Sequence, residues 1–265
     1  MNPYIAVFGA IGAVSLILTI GLYALRRRIF LHDGTTSGWD LNGAVFSFFA
    51  SLYAFFLGFC VVTLWNTFSM AKNVVAEEAN ALQVANYLSR PFNGSDGFRK
   101  ALAEYATVVI EEEWSAMDAR ESMSPQARLR FNQVWDAYRV LKPPDKADNS
   151  LYTTLGGVLE NASRQRNARA LQLSGNIYPP VWVILIVGFG GVCLGLFCAN
   201  PCLDKGQGLM VFVVLFTVLS CIYFIYDIST PFSGILNVPP DAFINVLDRM
   251  RQLTPSLPAA VAPVR

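Results

Sequence analysis

The sequence predicts an all-α membrane protein with four transmembrane helices and an extramembrane helical region between the second and third. Three observations carry this prediction. Residues 4–25, 43–65, 177–203 and 206–226 are apolar blocks of about 20 residues or more, long enough for a helix to cross the hydrocarbon core. None contains Asp, Glu, Lys, Arg or His, each of which costs at least about 2.5–3.5 kcal/mol at mid-bilayer. The stretch 67–176 between the blocks alternates apolar and charged residues at helical spacing and holds no convincing period-2 strand.

The first block reads as a retained membrane helix and not a secretory signal. Met1-Asn2-Pro3 supplies no basic start, and Arg26-Arg27-Arg28 follows the apolar run instead of preceding it. His32, the single histidine, lies in the loop beyond, so a histidine-based metal site or acid-base catalyst has almost nothing to build with. From 43 to 89 there is no proline, so the second membrane helix is expected to continue into water as one rod of about 45 residues, near 70 Å.

In the middle region, 99–117 reads as one helix with Leu102, Tyr105, Ala106, Val109, Ile110 and Trp114 as its apolar stripe. Ser124-Pro125 starts a second, with serine capping the free amides and proline at the first helical position, and Lys142-Pro143-Pro144 stops it. A third runs 149–173. The expected divisions are 1–66 and 177–228 in the membrane, 67–176 outside it, and a tail 229–265 with a short helix and a disordered Pro-rich end after Thr254. Counting crossings puts the N-terminus, 67–176 and the tail on one side, and the 26–42 loop and the 203–207 turn on the other.

Composition excludes several functions. The chain is 54% hydrophobic and 15% charged with a net charge of +1, which gives no electrostatic case for nucleic acid. The five cysteines lie in or beside the apolar blocks without a C-x-x-C pair, which argues against a disulfide framework or zinc ribbon. No G-x-S-x-G, P-loop or H-E-x-x-H is present, and neither an enzyme nor a cofactor is expected.

One pattern points to function. Ser51, Gly58, Asn66, Ser69, Asn73, Glu77 and Asn80 recur on one face of the second helix. A polar stripe that begins in the bilayer and turns acidic outside it needs a polar neighbour. Two arrangements supply one: a water-lined pore between copies, in which Glu77 forms a carboxylate ring, or a helix-packing seam in which Ser and Gly allow close approach. Glu77-Glu78 and Glu111-Glu112-Glu113 read as solvated charged faces, because adjacent helical residues point about 100° apart. Asp227, where the fourth helix leaves the membrane, is expected to pair with Lys72, Arg164, Arg166 or Arg169. The three arginines could equally hold lipid headgroups or pair with other acidic residues.

Glu77-Glu78-Ala79-Asn80, Glu112-Glu113-Trp114, the three arginines ahead of Pro180-Val181-Trp182, and Asp227-x-x-x-Pro231-Phe232-x-Gly234 together resemble the bacterial bestrophin-like family of unknown function, over about residues 46–247. The resemblance implies kinship with bestrophins, pentameric ion channels whose second membrane helix lines the pore. It favours the pore arrangement, a homo-oligomer in a bacterial inner membrane, and a cytosolic helical region. A non-conducting scaffold or sensor is the competing class. Near-membrane charge is balanced, with Arg26, Arg27, Arg28 and Lys205 against Lys72, Arg164, Arg166 and Arg169. The arginine triplet in a short loop argues for the opposite orientation; the resemblance is followed.

Overall fold

The computed structural model describes residues 3–33, 43–120, 122–142, 149–173, 177–198 and 205–253. The expectations for residues 34–42 of the first loop, the Pro143-Pro144 stop, the turn near 203, Cys202 and the Pro-rich end lie outside those residues, whereas 26–33, expected as loop with His32 in it, continue the first helix. The helices are α1 (Pro3–Asp33), α2 (Gly43–Leu88), α3 (Ser95–Val108), α4 (Trp114–Arg120), α5 (Pro125–Val140), α6 (Asn149–Leu173), α7 (Pro179–Cys198), α8 (Lys205–Ile228) and α9 (Asp241–Leu253), with a π-helical turn at Val109–Glu113. Among the described residues no strand forms; a single antiparallel bridge pairs Asn93 with Lys142. α1, α2, α7 and α8 are each long and apolar enough to span a membrane.

The chain divides into two compact units, and α2 contributes to both. In the membrane unit, three aromatic side chains of α2 lie over three glycines of antiparallel α7. A Cβ at Gly188 would run into the Tyr53 ring, one at Gly191 into Phe49, and one at Gly195 into Phe46. The 7-residue span on each helix keeps the three contacts in register. Tyr53 also donates its hydroxyl to the Leu185 carbonyl at 2.8 Å, so the polar atom it carries into that interface is satisfied. α1 meets α8 through Phe8 and Phe216, 6.5 Å apart. Its buried Ser15 and Thr19 donate to the carbonyls of Ile11 and Ser15, both at 2.8 Å, so neither hydroxyl is left bare in an apolar setting.

The second unit, 67–175 with 230–265, is a helical core around the outer half of α2. Ala71, Val75, Ala79, Leu82 and Ala85 of α2 are buried there with Leu102, Ala106 and Val109, with Phe131 and Val134, and with Leu155 and Leu159. Small residues on α2 let its neighbours approach closely. Ser124 Oγ accepts from the amides of Gln126 and Ala127 at 3.2 and 3.4 Å, with Pro125 in the first turn, so α5 starts as its sequence requires. α9 docks through Phe243, Val246, Leu247 and Met250. Trp114 fixes the segment before it, donating its indole N–H to the Val238 carbonyl at 2.9 Å while Phe232 and Phe243 pack edge-on against its ring.

Candidate functional site

α2 is an asymmetric rod. At 100° per residue, the seven polar-stripe positions fall within an arc of about 100°. Ser51, Gly58 and Asn66 in the membrane unit, and Ser69, Asn73, Glu77 and Asn80 in the other, are all exposed. The buried positions of α2, among them Tyr53, Leu57, Cys60, Ala71, Val75, Glu78 and Leu82, centre on the opposite side. Within the membrane unit the same exposed arc also carries Phe48, Phe55, Phe59 and Val62, each at least 60% exposed. The arc is therefore apolar with small gaps at Ser51 and Gly58 in that half, and polar from Asn66 outward. Ser51 turns its hydroxyl back to the Ser47 carbonyl at 2.8 Å.

Among the described residues Glu77 pairs with no cation. Its Oε2 accepts from Gln165 Nε2 of α6 at 2.7 Å. The neighbouring Glu78 behaves in the opposite way, and here the expectation of a solvated face is wrong. Glu78 is fully buried and takes a bidentate contact from Arg169, whose Nε and Nη2 lie 2.8 and 3.2 Å from its two oxygens. Tyr105 donates its hydroxyl to the same carboxylate at 2.5 Å. Glu113 corrects the same expectation: Glu111 and Glu112 are exposed, whereas Glu113, at the end of the π turn, is fully buried. Its oxygens lie 3.0 Å from Arg169 Nη1 and 3.5 Å from Arg166 Nη2. Both contacts are charge contacts and neither meets hydrogen-bond geometry.

Two carboxylates and two guanidinium groups thus form a buried quartet of zero net formal charge, linked in the order Glu78, Arg169, Glu113, Arg166. Aromatic faces complete its walls: Arg169 lies 5.4 Å from the Trp114 ring and 5.7 Å from that of Phe243, and Arg166 lies 5.9 Å from Phe131. Burial pushes the Glu113 carboxyl above its usual value, with the two arginines only partly opposing it. Burial acts to lower Arg169, but Glu78 and Glu113 outweigh it and hold the guanidinium more firmly protonated than usual. Burial and then the Glu78 charge push the Tyr105 hydroxyl well up, which keeps it a donor.

A readable signal marks the quartet. On α6 the buried series Leu155, Leu159, Ala162, Arg166, Arg169, Leu173 steps by 4, 3, 4, 3 and 4, so both arginines occupy core positions. Glu78 fills the same role in Ala71, Val75, Glu78, Leu82, Ala85, and Glu113 in Leu102, Ala106, Val109, Glu113, Met117. The other expected charges sit differently. Arg164 pairs on the surface with Glu160 at 3.1 Å, and Lys72 is exposed. The arginines are thus engaged within their own unit. Asp227, in the membrane unit, is 4% exposed and lies near Tyr223, one turn earlier. Among the described residues no group of three or more His, Cys, Asp or Glu side chains is placed to hold a metal ion.

Comparison with known proteins accounts for this architecture. No functionally curated protein matches the chain. A solved bacterial bestrophin homolog from Klebsiella pneumoniae superposes with a TM-score of 0.69 at 16% identity, covering 94% of this chain and 98% of its own. A single-site variant of a Klebsiella pneumoniae bestrophin homolog gives 0.72 at 14% identity, covering 93% and 98%. Structural likeness at such identities speaks for the fold. The family profile of the Bestrophin-like domain matches residues 13–243. With that match spanning most of its length and four membrane helices in the corresponding fold, the chain belongs to the bestrophin-like family.

Proposed function

We propose that the chain forms a homo-oligomeric ion channel of a bacterial inner membrane, a pentamer by its bestrophin kinship, with α2 of each copy lining the path. The observation that carries this reading is the exposed arc of α2. Ser51, Gly58, Asn66, Ser69, Asn73, Glu77 and Asn80 share it as exposed positions, while the reverse side is buried. Brought round an axis, Asn73 and Glu77 would furnish a ring of amides and a ring of carboxylates, which attract cations. Phe55, Phe59 and Val62 on the same arc would narrow the membrane half to an apolar constriction of the kind that gates by dewetting. The helical unit then faces the cytosol. No catalytic role is assigned.

A second reading draws on those same phenylalanines. An apolar arc around Gly58 and Ser51 also suits a packing seam between copies, and a non-conducting scaffold whose helical unit binds a partner protein would use it so. Flux and reversal potential in reconstituted liposomes and bilayers separate the two. The channel reading expects cation-selective conductance, reduced cation preference in Glu77→Gln and altered conductance in Asn73→Leu, with assembly intact. A parent protein that carries no current, or variants that leave current and reversal potential unchanged, would overturn it.

A further inference from the structure

We propose that Gln165 is a positioning residue for the ion path: it orients the Glu77 carboxylate on the exposed arc of α2 without cancelling its charge. This rests on the channel reading. Gln165 donates one amide hydrogen to Glu77 Oε2 at 2.7 Å, and the same nitrogen makes a longer contact of 3.5 Å with Asn161 Oδ1, one turn back on α6. The amide is thereby held from two sides. A glutamate on an open helix face samples several staggered side-chain wells. The Gln165 contact selects one of them.

The identity of the donor is the decisive feature. α6 carries three arginines beside Gln165, and each is directed elsewhere: Arg164 to Glu160, Arg166 to Glu113, and Arg169 to Glu78 and Glu113. The residue that reaches Glu77 is the neutral one. A cation at the same distance would neutralise the carboxylate, and a ring of such pairs would present little net field to a passing ion. An amide fixes the geometry and leaves the full negative charge available. Glu77 and Glu78 are adjacent in sequence and receive opposite treatment, one oriented and left charged toward the outside, the other neutralised inside.

The test is reversal potential in a KCl gradient across planar bilayers, for the parent, Glu77→Gln, Gln165→Lys, Gln165→Leu and the double variant Glu77→Gln/Gln165→Leu. Size-exclusion profile and melting temperature report assembly. We expect Gln165→Lys to shift the reversal potential toward zero about as far as Glu77→Gln does, Gln165→Leu to shift it less, and the double variant to shift it no further than Glu77→Gln alone. A merely structural role for Gln165 would give shifts that add in the double variant, and that outcome overturns the inference. A parental reversal potential in Gln165→Lys, with Glu77→Gln shifted, also overturns it and leaves the channel reading standing. A silent Glu77→Gln removes both.

Discussion

Removing Arg169 should damage the extramembrane unit more than any other single charge removal. The side chain is fully buried and is the shared partner of Glu78 and Glu113. The quartet holds two negative and two positive groups; in Arg169→Met, Glu113 keeps Arg166 and Glu78 loses its cation, leaving one buried negative charge unbalanced. Breaking a buried pair in this way costs about 3–5 kcal/mol. For a folding unit of this size that corresponds to a melting-temperature loss of roughly 6–20 °C. Fluorescence-detected melting in detergent is the assay, with Trp114 as a local reporter because the guanidinium lies 5.4 Å from its ring. Adding Glu78→Gln to Arg169→Met restores neutrality to the remaining Arg166–Glu113 pair, and the new amide can still accept from Tyr105. The double variant should regain more than half the loss. If Arg169→Met melts with the parent, or if the two substitutions simply add, the quartet is not the electrostatic unit described here.

Three further outcomes follow from the geometry. Gly195→Ala puts a methyl group into the Phe46 ring, so it should lower the stability of the membrane unit by about 1–3 kcal/mol in the same melting assay, and Gly195→Ala combined with Phe46→Ala should melt higher than Gly195→Ala alone. The Glu113 carboxyl is raised in the folded state, so its contribution is present below the ordinary carboxylate value of 4.5 and is lost as pH rises through the higher native value. Parent and Glu113→Gln melting temperatures should therefore diverge across that interval and run parallel above it; parallel curves throughout would refute the shift. For orientation, a cysteine at exposed Ser122 should react with a membrane-impermeant thiol reagent only after cells are opened, and one at Ser37 in intact, outer-membrane-permeabilised cells. The reverse order would place the helical unit outside.

The helices were legible because their signals are local. The 149–173 expectation coincides with α6, and the Ser124-Pro125 start of α5 is realised by the capping bonds themselves. The absence of proline between 43 and 89 carried the long α2. Less legible were boundaries decided by continuity: the first apolar block ends at 25, yet α1 continues to Asp33, since nothing in Arg26-Arg27-Arg28 breaks a helix once begun. The 99–117 helix is interrupted by the π turn, which no propensity scale marks. That turn inserts an extra residue into the repeat and keeps Glu113 in line between Val109 and Met117. The aromatic-over-glycine contacts of α2 with α7 were also out of reach, because they pair residues more than 130 positions apart.

The missed half of the site follows from treating each carboxylate run as a unit. Three successive helical residues sweep about 200°, so a run such as Glu111-Glu112-Glu113 cannot remain entirely on the outer face of a helix that also has a buried one. One member must turn inward and needs a cation at a core position of a neighbour. The 4-3-4-3-4 series of α6, interrupted by Arg166 and Arg169, supplies it. The same reasoning links the quartet to the proposed path. Glu78 is pinned by Arg169 and Tyr105, which sets the rotation of α2 about its own axis. A one-residue change of register would bury Glu77 or Ala79 opposite Arg169 and expose Glu78, at the cost of stranding a buried charge. With Glu78 held inward, Glu77 lies about 100° away and emerges on the exposed arc, where Gln165 can meet it. The buried ion pair therefore acts at a distance on the exposed face, by fixing which side of a long and otherwise uniform helix is presented.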